Sequence, residues 1–214
     1  MPQPNPSLKA RNFKWLCALA ATDAVGVFLL AFPVALRGVT LSQATLLRAA
    51  LSVALPVIVM ILAALLPTNA KIILVYWRFK YALPGHRAFS TYALGNGRID
   101  VAALKKHVGE FPTNPTEQDA LWFKLYKQVT DDVTVIDAHS DYLRFRDMAA
   151  ISFLLLTITP VWLYFADVTV TSIAHCTALI GVQYFVTALA SRNSGVRLVI
   201  NVLALHSNRV APAK

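Results

Sequence analysis

Residues 148–190 read MAAISFLLLTITPVWLYFADVTVTSIAHCTALIGVQYFVTALA, and Asp167 is the only formal charge among them. The acid divides two apolar blocks, 148–166 and 168–190, each close to the roughly 20 residues a helix needs to cross the roughly 30 Å hydrocarbon core of a bilayer. Almost nothing lies between the blocks except Asp167, so they form a hairpin of two crossings with a tight turn. Working outward, two more blocks of similar length, 15–36 and 46–66, form a second hairpin near the N-terminus. The reading is all-α: a four-helix transmembrane bundle.

Composition agrees with lipid as the solvent. The 214-residue chain is 57% hydrophobic and 14% charged, against about 25% charged in an ordinary soluble domain. Its formal net charge of +9 could point to nucleic acid, but the distribution argues otherwise. Lys9, Arg11 and Lys14 precede the first crossing, and Arg192, Arg197, Arg209 and Lys214 follow the fourth, with no acid beside either set. The tails therefore carry +7, while residues 70–147 hold 11 cations and 9 acids. Charge at the ends of crossings follows the positive-inside rule and is not a patch for a duplex. It predicts both termini and the central segment on the cytoplasmic side. Residues 37–47 and Asp167 then lie outside. The apolar stretch after Lys14 is too long for a signal-peptide core, which predicts an uncleaved anchor.

The expected organisation is a disordered cytoplasmic tail at 1–12, a transmembrane hairpin at 13–67 and a small helical cytoplasmic insert at 68–147. A second hairpin at 148–190 and a cytoplasmic amphipathic tail at 191–214 complete it. Within the insert, KIILVYWRFKY (71–81) mixes aromatic and cationic residues suited to the headgroup level. It either lies on the membrane or continues the second crossing past Pro67. Pro84-Gly85 and Gly95-Asn96-Gly97 are turn chemistry. Asp100 N-caps a helix at 101–108 that Gly109 stops. Thr116 and Asp119 resemble a capping box opening a helix at 117–130. Asp131 or Asp132 caps one long helix over 132–166, with Asp141 and Arg144 as a pair one turn apart. SRNSG (191–195) reads as a break before a short amphipathic helix, 196–206, on the inner membrane surface.

The run LPGHRAFS (83–90), RID (98–100), PTNPTEQDALWFKLY (112–126) and DAHSDYLRFRD (137–147) resembles the cytoplasmic insert of an uncharacterised group of small bacterial multi-pass membrane proteins. The resemblance implies a bacterial inner-membrane location and carries over no function.

Asp23 is the sharpest functional candidate. It lies about 12 Å into the first crossing, a costly depth for an acid. His175 and Gln183 share a face of the fourth crossing, which Thr171 and Thr187 extend. Gln183 is closer to Asp23 in depth than His175 is. One outcome is an ion or proton path. The other is helix glue, with Asp23 hydrogen-bonded to Gln183 or Thr22, and one acid with one histidine makes a poor relay. Small residues four apart (Ala20 and Ala24, Thr22 and Gly26, Ala50 and Ala54, Ala174 and Ala178) suit close helix packing or homo-oligomerisation.

In the insert, Arg87, Arg98, Lys105 and Lys106 near the glycine turns are candidate contacts for an anionic ligand, without a Walker loop or GxGxxG to support a nucleotide. Trp122, Phe123 and Tyr126 are a candidate surface for a partner protein. His86, His107 and His139 lack metal-ligand or hydrolase spacing, so neither a metal, a cofactor nor a catalytic residue is expected. Cys17 and Cys176 sit inside crossings and pack as small hydrophobes. The expectation is a protein acting by interaction, as anchor, sensor or effector, in its most concrete form a membrane-perturbing effector of a stress or antiphage response. A small oligomeric channel or transporter using Asp23 is the alternative, and an enzyme with its site in the insert ranks below both.

Overall fold

A computed structural model describes residues 8–32 and 42–210, with side chains described for 12–32 and 42–208. It is all-helical, 82% helix with no strand among the described residues. Seven α-helices follow in order: α1 (Leu8–Ala31), α2 (Gln43–Leu65), α3 (Thr68–Tyr76), α4 (Val101–Val108), α5 (Pro115–Lys127), α6 (Val133–Phe165) and α7 (Val170–Val210). Helices α1, α2, α6 and α7 are each long and apolar enough to cross a membrane. The expected disordered tail is partly overturned, since residues 8–12 belong to α1. Residues 1–7 and the loop holding Arg37 lie outside the described residues.

The chain forms two compact units. The first comprises Met1–Val75 and Arg144–Leu189. Its apolar core draws Val27 and Ala31 from α1, Leu55, Val59 and Ala63 from α2, Ile151, Leu155 and Leu163 from α6, and Cys176 and Ile180 from α7. Glycine permits one close approach, because a Cβ at Gly26 would stand 3.3 Å from Leu179 Cδ2. Ala20 and Ala24 face inward, whereas Ala50, Ala54, Ala174 and Ala178 are exposed. Polar ties accompany the core. Arg48 at the start of α2 pairs with Asp167 in the turn before α7 at 2.7 Å. Ser52, fully buried, accepts from Trp162 Nε1 at 2.9 Å and donates to the Arg48 carbonyl at 2.8 Å. Pro56 lies inside α2. It removes the amide that would bond the Ser52 carbonyl, an interruption that apolar surroundings tolerate when neighbours supply other bonds. Lys71 on α3 reaches Asp147 at 3.1 Å, and Asp147 also accepts from Arg146 at 3.0 Å.

The second crossing does not run on through 71–81. Leu66 is extended, α3 begins afresh at Thr68 and ends at Tyr76, and Trp77 turns to φ +53°.

The second unit comprises Tyr76–Leu143 and Ala190–Lys214. Asp100 caps α4 by accepting from the Ala103 amide at 2.9 Å, and Gly109, at φ +84°, closes it. Asn114 caps α5, accepting from the Thr116 amide at 2.9 Å. The capping-box reading at Thr116 is thereby corrected, since Pro115 already fits the first helical position. Asp132 accepts from the Thr134 amide at 2.8 Å at the start of α6, and α6 is one unbroken helix of 33 residues. The turn-rich stretch after Leu83 forms a short 3₁₀ turn (Pro84–Arg87) and a π-helical turn (Ala88–Ala93). Buried Gln118 holds it, its Oε1 accepting from the Phe89 and Ser90 amides at 3.1 and 3.0 Å.

The tail reading is also corrected. Residues 191–195 are helical within the 41-residue α7. Leu198, Val199, Val202, Leu203 and Ala204 are buried in the second unit's core with Phe89, Leu104, Leu125, Val129 and Val135. The polar positions of this stretch have partners within this unit. Arg197 pairs with Asp141, and Asn201 donates to the Thr134 carbonyl at 3.1 Å. Asp141 thus faces α7 as well, and the Arg144 guanidinium lies over Trp15 and Phe145.

Candidate functional site

A polar cluster between the membrane-length helices belongs to the first unit and joins three of them. Gln183 on α7 donates from Nε2 to Asp23 Oδ2 on α1 at 3.1 Å and to Ser152 Oγ on α6 at 3.0 Å. Asp23 and Ser152 are buried, at 5% and 0% exposure. Sequence depth put Gln183 nearer to Asp23 than His175 is, and the structure brings Gln183 and Asp23 together. His175 is exposed and takes no part. Two helical turns separate it from Gln183, about 12 Å along the axis, too far for a shared contact. Thr22 bonds back to the Ala18 carbonyl at 2.9 Å and so leaves Asp23 to Gln183. Thr187 likewise bonds within α7, to the Gln183 carbonyl at 2.8 Å. Ser152 escaped the sequence reading because a serine on an apolar helix bonds its own backbone as readily as a neighbour.

Chemically, this cluster is a cross-helix clamp. An amide with two acceptors fixes α1, α6 and α7 at one level, and each polar atom so paired avoids the penalty of facing hydrocarbon alone.

The second unit holds the other candidates. Tyr76 is buried where α7 carries Gly195, and a Cβ at that glycine would fall on the Tyr76 hydroxyl, 3.3 Å from Tyr142 and 3.4 Å from Pro84. Burial pushes the Tyr76 phenol well above its usual range, Tyr142 and Tyr92 adding to the effect and Arg192 and Arg87 opposing it, so it stays neutral. The four candidate anion contacts differ in setting. Arg87 is partly buried, with Nε buried and without a hydrogen-bond partner. Arg98 and Lys106 are exposed, and Lys105 turns to Glu110 at 2.9 Å and over the Phe111 ring. Arg192 on α7 stacks on Trp77, 3.8 Å from the ring centroid. The sequence reading missed this pair because 115 positions separate its members.

Trp122 and Phe123 both stack with Tyr126, at 5.6 and 6.0 Å between centroids. Trp122 and Tyr126 pack on the second core, while Phe123 is 49% exposed. Burial raises the Tyr126 pKa, and its hydroxyl meets His139 Nδ1 at 2.9 Å. His107 stacks on His206, 5.4 Å apart, and His206 Nε2 donates to the Leu125 carbonyl at 3.0 Å. His86 stands 3.9 Å from Asp119, whose carboxyl is raised from its ordinary value by burial and partly restored by His86. Among the described residues, no group of three or more His, Cys, Asp or Glu side chains is arranged to hold a metal ion. No known protein family, curated protein or solved structure matches this chain.

Proposed function

We propose that the protein is an integral protein of the bacterial inner membrane that acts by interaction. In this reading α1, α2, α6 and α7 form a transmembrane bundle with both tails inside. The second unit is cytoplasmic and serves as anchor, sensor or effector domain. The single observation that carries it is the presence of four membrane-length helices beside a separate apolar core built from residues 76–143 and 190–208. Half-exposed Phe123, on the aromatic face of α5, offers contact area to a cytoplasmic protein partner or a second copy.

The most concrete version is a membrane-perturbing effector of a stress or antiphage response. Expression with a membrane-potential dye tests it, and an unchanged potential under activating conditions counts decisively against it. Cysteine-accessibility mapping tests orientation. Single cysteines at Lys106 and Phe123 react only after the inner membrane is permeabilised, and one at Asp167 reacts in intact spheroplasts. The reverse pattern overturns the assignment.

The alternative is a small oligomeric channel using Asp23, the acid placed farthest into the apolar blocks. It predicts that Asp23→Asn abolishes flux while the protein still inserts. The bonds from Gln183 to Asp23 and Ser152 favour the structural role over the conducting one.

A further inference from the structure

Residues 77–81 read WRFKY, and all five are exposed. Phe79 is 87% exposed, more than any other large hydrophobic side chain among the described residues. The loop is held in an uncommon shape. Trp77 and Tyr81 adopt φ +53° and +50°, a left-handed region that non-glycine residues rarely enter. Both ends are braced from within the second unit. Arg192 stacks on Trp77 at 3.8 Å, and the Tyr81 ring meets His86 edge-on at 5.3 Å. A braced loop that turns two aromatic rings, a phenyl group and two cations outward is unusual for a surface that faces only water.

The level of this loop follows from Arg192. Residues 168–191 carry no Asp, Glu, Lys or Arg, so Arg192 is the first formal charge after the fourth apolar block. From Val170, where α7 begins, to Ser191 the helix rises about 33 Å, slightly more than the hydrocarbon core. Arg192 therefore emerges among the headgroups, and Trp77, stacked on it, shares that depth. Charge selects the headgroup type. Arg78, Lys80 and Arg192 converge on this loop, and neither 68–99 nor 168–214 contains an Asp or Glu.

We propose that the 77–81 loop, together with Arg192 stacked on Trp77, is a docking site for the phosphate of an anionic phospholipid headgroup. Arg78, Lys80 and Arg192 contact the phosphate, while Trp77, Phe79 and Tyr81 seat among the glycerol and upper acyl carbons, the level at which amphipathic rings settle. The inference rests on the membrane-spanning reading above.

The full chain in neutral detergent, titrated with phosphatidylglycerol or phosphatidylcholine and read by native mass spectrometry, tests it. The wild type retains phosphatidylglycerol in preference to phosphatidylcholine, and inorganic phosphate does not compete it away. Arg78→Gln or Lys80→Gln alone lowers that retention about fivefold, and Arg78→Gln/Lys80→Gln/Arg192→Gln lowers it well over tenfold. Lys105→Gln/Lys106→Gln leaves it unchanged. The single variants lie at exposed positions and keep the test sound if the triple variant misfolds. Equal retention of the two lipids by the wild type overturns the proposal, as does undiminished preference in both single variants. Carbonate extraction separates the two readings. Release of the protein from membranes sinks the spanning assignment, whereas a firmly embedded protein without headgroup preference sinks this site alone.

Discussion

The side-chain amide of Gln183 reaches across 160 positions of sequence to donate a 3.1 Å hydrogen bond to Asp23. The same nitrogen serves Ser152 at 3.0 Å, so one glutamine satisfies acceptors on two other helices. Removing it leaves two buried acceptors without that donor. Gln183→Leu is expected to destabilise the protein by about 1–3 kcal/mol, read as a lower unfolding temperature in detergent. Asp23→Asn keeps an acceptor for the amide and should cost less than about 1 kcal/mol. Equal losses in the two variants would refute the clamp.

Gly195 and Tyr76 predict a suppressor pair. A methyl group at Gly195 falls on the Tyr76 hydroxyl, and the buried Tyr76 ring has little freedom to withdraw. Gly195→Ala should therefore cost about 1–3 kcal/mol through overpacking, despite the better helix propensity of alanine, about 1 kcal/mol. Tyr76→Phe deletes the obstructing oxygen, and the double variant should regain most of the loss. Thermal unfolding of the four proteins in a double-mutant cycle provides the measurement.

The 198–204 segment is core, and its truncation should show it. Leu203 is fully buried among residues of the second unit, so Leu203→Ala should cost about 2–5 kcal/mol. A helix resting on the membrane surface would lose far less. Limited proteolysis of the variant should open sites within 76–143 while leaving the membrane-length segments protected.

Asp119 carries a pH signature. Its folded-state pKa lies above the ordinary 3.8 because burial disfavours the carboxylate. A raised folded value means that the folded state prefers the protonated acid, so stability is lost as pH rises through that value. Asp119→Asn should thus be more stable than the wild type at about pH 7.5. Its advantage should shrink as pH falls through the folded-state value and vanish below about 3.8, where the acid is protonated in folded and unfolded chains alike. Unfolding temperatures of the two proteins across that range decide the matter, and a pH-independent difference would exclude the burial effect.

Much of the architecture is legible in the sequence because long apolar blocks have a characteristic length. The blocks at 148–166 and 168–190 could hardly be anything but helices, and an acid within an apolar block narrows its choice of partner. Local chemistry was equally readable at Asp100 and Gly109, where a cap and a left-handed stop need only neighbouring residues. The misreading of 191–195 has a physical cause. Serine, asparagine and glycine weaken a helix by about 0.5–1 kcal/mol each, and packing overrides such sums. Ser191 and Ser194 are buried, and Ser191 donates to the Tyr142 carbonyl at 3.4 Å. Arg197 and Asn201, four apart, look like a wet face until Asp141 and the Thr134 carbonyl are placed opposite them. The Arg192–Trp77 stack was invisible for the same reason, since it depends on a partner distant in sequence.

The 41 residues of α7 also set a schedule for synthesis. The second unit closes only when 198–207 joins 76–143, and the remainder of α6 from residue 144 and the first half of α7 are translated between them. At about 5–20 residues per second, the earlier segment waits several seconds with Phe89, Leu104 and Leu125 uncovered. A ribosome stalled in that interval would leave a chain with its second unit unfinished, open to proteases and chaperones. Completion of the second unit thus reports that the last apolar block has been translated.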